Sequence, residues 1–315
     1  MRLRRPAALA LVMVAQPVAA PVETEIPVGG AALYVRTIGK GRPVIVLHGG
    51  PDFDHAYLLP ELDRWRDAFR LVYYDQLGRG RSAENVRPED VTLASDVEDL
   101  EKVRRHLGHA APALLGHSWG ALLALEYALR HPTHVSRLIL MNPAPVSVGE
   151  LAVMRKAYRE QLGPDMDRQQ QIVESPAYRE GDPDAVTARY RIHFQRALRR
   201  RGDYERLIKR MHAGFVRQGE DGILKARAIE DRLLRDTWDM PGYDLLPELR
   251  ELHVPTLVLV GDHDLIPVEL AERLARAMPA ARLVKIRDCG HFAYLERPGE
   301  VRRAVDAFFE GTAER

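Results

Sequence analysis

Ser118, two aspartates at 262 and 264, and His291 each stand where an apolar run of the chain stops. A serine hydroxyl is a weak nucleophile at its own pKa and needs a neighbouring base to take its proton as it attacks. Imidazole titrates near neutral pH, so His291 is the candidate base. A carboxylate behind the ring fixes its tautomer and stabilises the imidazolium that forms. Asp264 suits this task better than Asp262, because a turn has to follow the strand before a carboxylate can reach back. Asp75, the rival acid from another run, is followed by "QLGRGRS" and reads better as a structural turn. The three side chains together suit acyl transfer through a covalent intermediate.

Attack on a carbonyl creates an oxyanion, which preorganised N–H groups must hold. The serine lies in "LLGHSWGAL", residues 114–122, bracketed by Gly116 and Gly120. That pattern between an apolar run and a helical one predicts a sharp strand-to-helix turn with a strained residue at its tip. The Trp119 N–H, first in the following helix, is one candidate donor. The Gly50 N–H of "HGGP" (48–51) is the second; Pro51 has none to give. The plainer alternative makes Ser118 an N-cap and His291 an ordinary core or surface residue.

These residues have to be positioned by the elements around them. "VETEIPV" and "AALYVRTIG", parted by Gly29-Gly30, predict a hairpin. "PVIVLH", "FRLVYYD", "PALLGHS", "VSRLILMN", "VPTLVLVGD" and "ARLVKIRD" read as strands buried on both faces, as in parallel sheets covered by helices. Helical patterns fall between them at 58–67, 92–107, 121–130, 268–277 and 299–309. Strand and helix in alternation imply an α/β domain, whose ligand crevice lies at the carboxyl ends of its strands. From 146 to 243 the alternation gives way to an Arg-rich helical stretch, cut into short helices at "LGPD", "EGDPD", "RRGDY" and "RQGEDG". Residues 21–145 and 244–315 therefore form the sheet domain, with 146–243 inserted as an all-helical unit. Within the insertion, 189–217 holds ten basic and two acidic residues, a solvated face or a means of steering anions.

Lys plus Arg (46) nearly balances Asp plus Glu (45), which argues against a nucleic-acid binder. The single cysteine, Cys289, excludes an intrachain disulfide and a cysteine-based metal cluster. His106/His109 and His131/His134 sit near helix ends, where positive charge suits the helix dipole, and imply no metal site. No cofactor is called for. Residues 1–20, "MRLRRPAALALVMVAQPVAA", have a basic start, a short apolar stretch and a small-residue end, the outline of a secretory signal peptide. The expected product is an exported, periplasmic or secreted chain without stable membrane insertion once the leader is removed, or a cytoplasmic one if the leader is not functional.

"HGGP" at 48–51, "DQLGRGRS" at 75–82, "GHSWGALLALEYALRHP" at 116–132, "VPTLVLVGDHDLIP" at 254–267 and "GHFAYLERP" at 290–298 resemble the α/β-hydrolase superfamily, and within it the proline iminopeptidases of the S33 peptidase type. The resemblance covers the α/β part of the chain. It implies an α/β-hydrolase fold, a mostly parallel sheet flanked by helices, with the insertion as a helical cap. It also implies Ser118 as nucleophile, Asp264 as acid, His291 as base, and Gly50 and Trp119 as oxyanion hole. The chain departs from that family at Asp52 and His117, where glycine is usual. It departs again at Arg191, near where a cap glutamate would hold a substrate's N-terminal nitrogen.

The reading is thus a serine hydrolase acting on a small molecule or short peptide, an aminopeptidase of proline-iminopeptidase type. The alternatives are a carboxylesterase or lactonase using the same triad, its Arg-rich cap suited to acyl groups bearing a carboxylate, and a non-catalytic binding protein of the same fold.

Overall fold

The computed structural model describes residues 20–311, so the expected leader lies outside the described residues. Eight strands form one sheet: β1 (Val22–Val28), β2 (Ala31–Ile38), β3 (Arg42–Leu47), β4 (Phe69–Tyr74), β5 (Ala113–His117), β6 (Arg137–Met141), β7 (Thr256–Gly261) and β8 (Ala281–Ile286). Their order across the sheet is β1-β2-β4-β3-β5-β6-β7-β8. The β1–β2 hairpin turns through Gly29-Gly30, and β2 meets β4 antiparallel; all other neighbours are parallel.

The apolar strands are covered on both faces. Val44, Val46, Leu71, Leu115, Ile139 and Leu257 point to one layer, while Ile45, Leu47, Val72, Leu114, Leu138 and Val258 point to the other. Alternate residues of one strand thus enter different cores, which is why these runs show no polar alternation. The second layer holds α1 (Leu93–His106) and α2 (Trp119–Arg130).

Between β6 and β7 run α3 (Val148–Leu162), α4 (Asp165–Glu174), α5 (Pro176–Arg179), α6 (Pro183–His193) and α7 (Arg201–Asp236), followed by α8 (Leu246–Leu249). This helical excursion leaves and returns at one place: Val148 N–H donates to Tyr243 O (3.0 Å) and Leu245 N–H to Val146 O (3.0 Å). After β7 come α9 (Val268–Ala277), α10 (Ala293–Glu296) and α11 (Pro298–Glu310), and Val301 and Val305 of α11 enter the first layer.

Two local expectations differ from the structure. The helix expected at 58–67 is two short 3-10 turns, His55–Leu58 and Leu62–Asp67, because Pro60 between them cannot donate a backbone hydrogen bond. β8 is an edge strand with Arg282 and Lys285 exposed, not one buried on both faces. The break expected at "RQGEDG" is present: Gly219, at φ 67° and ψ 176°, leaves helical geometry and divides α7 at a kink.

Half of the ten basic residues in the stretch pair with carboxylates. Arg210 pairs with Glu61 (2.5 Å), Arg217 with Asp54 (3.2 Å), Arg199 with Asp288 (3.2 Å) and Arg191 with Glu205 (3.0 Å). The first three of these bonds join the excursion to the sheet domain.

Candidate active site

The elbow is present and strained. Ser118 has φ 54° and ψ −119°, a region that side chains other than glycine rarely adopt. Its N–H donates to Met141 O (3.1 Å), and its carbonyl accepts from Ala121 (2.9 Å) and Ala144 (3.2 Å), so the surrounding backbone imposes the conformation. The bracketing glycines are steric necessities. A Cβ on Gly116 would stand 2.2 Å from Gly120 O, and one on Gly120 would stand 2.2 Å from Leu47 O.

Asp264 and His291 meet. His291 Nδ1 lies 2.7 Å from Asp264 Oδ1, and both residues are buried. The same carboxylate accepts from Ile266 N–H (2.9 Å) and from Asn142 Nδ2 (2.7 Å). With Nδ1–H donated to the carboxylate, His291 Nε2 holds the free lone pair. The backbone of His291 is fixed as well: its N–H donates to Ala197 O in the excursion (2.7 Å). Asp262, one turn earlier, points elsewhere. It accepts from Cys289 N–H (3.1 Å) and pairs with His263 (2.7 Å), contacts that hold its carboxyl below the usual range despite desolvation. Asp75 accepts from His55 N–H (3.0 Å), His55 Nδ1 (2.7 Å) and Arg81 N–H (2.9 Å). These partners outweigh its burial and hold its carboxyl down at about 2, as suits a structural turn.

The "HGGP" loop is braced from β4. Gln76 N–H donates to His48 Nε2 (3.1 Å) and Gln76 Nε2 to His48 O (2.9 Å), while burial brings His48 down to about 4. Among the described residues the N–H groups of Gly50 and Trp119 have no protein acceptor, and both residues line the cavity that Ser118 and His291 line.

That cavity has a volume of about 310 Å³. Its walls are aromatic, with Phe53, Tyr190, Phe194, Trp238 and Phe292 among them. Its charged groups come from the excursion: Arg155 on α3, Arg189 on α6 and Glu230 on α7. Neither Arg189 nor Glu230 makes an ion pair or hydrogen bond among the described residues; the Arg189 guanidinium lies over the Tyr190 ring, 4.4 Å from its centroid. Burial and nearby Asp52 push the Glu230 carboxyl up to about 8, against the pull of Arg189. Asp52 is buried with Oδ2 accepting from Tyr190 (2.5 Å) and Oδ1 without a partner. Arg191, expected near the substrate, is exposed and paired with Glu205 on the outer surface.

Sequence reasoning missed two residues here. Asn142, at φ 48° after β6, bridges Asp264 Oδ2 and Gly290 O (3.1 Å). His117 is hydrogen-bonded through both ring nitrogens. A short polar residue where a buried strand ends, as in "LMNP", is the signal that points to Asn142.

A family model described as alpha/beta hydrolase fold matches residues 42–298. The chain is 26% identical over 287 residues to a proline iminopeptidase of Saccharolobus solfataricus, covering 87% of each. It is 30% identical over 272 residues to a proline iminopeptidase of Neisseria meningitidis, covering 81% of this chain and 84% of the relative. Among solved structures, a proline iminopeptidase-related protein from Thermus thermophilus superposes with a TM-score of 0.68 at 27% identity, over 93% of this chain and 98% of that one.

Proposed function

The chain belongs to the α/β-hydrolase family as a hydrolytic enzyme related to the proline iminopeptidases, and from that premise we propose that it is a serine hydrolase of aminopeptidase type. Ser118 Oγ bonds to the substrate carbonyl carbon as its proton passes to His291 Nε2. The oxyanion that forms is held by the N–H groups of Gly50 and Trp119. The carbon–nitrogen bond then breaks, and His291 returns the proton to the departing amine. Water repeats the sequence: His291 takes its proton, the hydroxide oxygen bonds to the acyl carbon, and Ser118 leaves with the proton. Asp264 holds the Nδ1–H tautomer and offsets the imidazolium charge. The excursion serves as the cap, and the leader-like first twenty residues make export part of the proposal.

The observation that carries the aminopeptidase reading is Glu230. Of the cap acids Glu205, Glu220, Glu230 and Asp231, it alone lines the cavity, and it lacks a protein ion pair among the described residues. A desolvated carboxyl beside Asp52 favours a cation, and a substrate ammonium would restore its ionised form. Arg189, equally unpaired in the same cavity, favours the second reading, an esterase for acyl groups bearing a carboxylate. Parallel assays with prolyl-naphthylamide and p-nitrophenyl butyrate separate the two. Amide turnover is expected. Ester turnover with no amide turnover disposes of the aminopeptidase reading, and failure of a fluorophosphonate to label Ser118 disposes of both.

A further inference from the structure

Three loops that carry the proposed chemistry meet beneath the cavity: His48–Gly50 after β3, the Ser118 elbow after β5, and the Gly290–His291 loop after β8. One chain of hydrogen bonds runs through all three. Gly49 N–H donates to Tyr57 Oη (2.8 Å), Tyr57 Oη lies 2.7 Å from His117 Nδ1, and His117 Nε2 lies 3.0 Å from the His291 carbonyl oxygen. Chemistry fixes its direction. A carbonyl can only accept, so Nε2 carries the proton. In a neutral imidazole Nδ1 then holds the lone pair, so the Tyr57 hydroxyl donates to it and its oxygen is left to accept from Gly49. The ring is fully enclosed, its centroid 5.1 Å from that of His291, 5.4 Å from Phe292 and 5.4 Å from Tyr294. Burial first, and then the proximity of His291, lower it to about 3, so it stays neutral.

We propose that His117 and Tyr57 are positioning residues, a single neutral relay that holds the Gly49–Gly50 backbone and the His291 backbone in register with the Ser118 elbow. The proposal rests on the serine-hydrolase reading above. Because Tyr57 takes the Gly49 N–H, the Gly50 N–H is the one left for the oxyanion. The His291 backbone is then gripped at both ends, its N–H by Ala197 and its carbonyl by His117. Small displacements of reacting groups slow a reaction without weakening binding, so the relay acts on kcat and not on KM. It also gives a reason for His117 where glycine is usual among the proline iminopeptidases the chain resembles.

Tyr57→Phe removes one hydroxyl and keeps the ring. Its kcat is expected to fall by about 10–100-fold with KM within about twofold. His117→Asn should do the same, and His117→Gln, whose amide can still donate to the His291 carbonyl, should be less impaired than His117→Asn. The double variant Tyr57→Phe/His117→Asn should be no slower than the slower single, since both cut one chain. Nitrogen-15 NMR of the histidines in the wild-type protein should show His117 as the Nε2–H tautomer, with its Nδ1 resonance moved in Tyr57→Phe. Single variants with wild-type kcat, losses that multiply in the double variant, or the opposite tautomer would each overturn the relay. Fluorophosphonate labelling keeps the two levels apart. A wild-type protein that labels at Ser118, with Tyr57→Phe labelling just as fast, defeats the relay alone. A wild-type protein that does not label defeats the hydrolase reading beneath it.

Discussion

At the sheet rim, the groups proposed to act on the substrate are held by other parts of the fold. Ser118 is strained by three backbone hydrogen bonds, the Asp264 carboxylate accepts from three donors, and the His291 main chain is anchored at both its N–H and its carbonyl. In the helical excursion above, Arg189 and Glu230 face the same cavity with no hydrogen bond or ion pair among the described residues. The rim is preorganised, as transition-state stabilisation requires. The excursion presents Arg155, Arg189 and Glu230 to the cavity. On the proposed reading, the reaction depends on the sheet's backbone and substrate choice on side chains with few polar contacts of their own.

The largest effect that sharpens this contrast is at the acid. Asp264→Asn should cut kcat by about 10⁴-fold, because an amide permits the wrong imidazole tautomer. Asp262→Asn should leave it nearly unchanged. Steady-state assays of the two variants check this, and the reverse pattern would reassign the acid.

Next comes the backbone itself. Gly120→Ala forces a Cβ to within 2.2 Å of Leu47 O and should cost about 3–5 kcal/mol in denaturant melts. Gly202→Ala, in α7 with nothing within 4 Å, should instead stabilise by up to about 1 kcal/mol. Equal effects at the two sites would erase the distinction between rim and excursion.

Glu230→Gln tests the excursion. It should lower kcat/KM for an amine-terminated amide by about 10–100-fold and leave a neutral ester unaffected, since an ammonium would lose a desolvated carboxylate. In the wild-type enzyme, kcat/KM for that amide should rise as pH approaches about 8, where Glu230 ionises. Stability gives a smaller companion signal. The folded protein keeps the Glu230 proton up to about 8, whereas the unfolded chain loses it near the ordinary 4.5, so this contribution is fully present below 4.5 and is lost as pH rises through 8. The melting temperature of the wild type should therefore fall relative to Glu230→Gln between pH 5 and 8. A constant difference would mean that Glu230 is not desolvated.

The rim was the legible part of the sequence. Buried parallel strands announce themselves by unbroken apolar runs, and "GHSWG" announces the elbow because close backbone contact demands glycine at both of its ends. Asp264 could be preferred to Asp262 because the turn after β7 sets the reach; Asp264 N–H indeed closes on Gly261 O at 3.2 Å. The excursion was far less legible. Arg191 and Glu230 are equally charged letters, and which faces inward depends on how α6 and α7 pack. The kink at Gly219 also resets the helical phase of α7, by an amount the sequence does not encode locally. His117 escaped for another reason: its partners, Tyr57 and His291, are 60 and 174 residues away in the chain.

The most direct test is to catch the covalent intermediate. Wild-type enzyme quenched with acid during turnover of p-nitrophenyl butyrate should carry one butyryl group, on the peptide containing Ser118, and Ser118→Ala should carry none. Sustained turnover by Ser118→Ala, or a butyryl group found on any other side chain, would contradict the account.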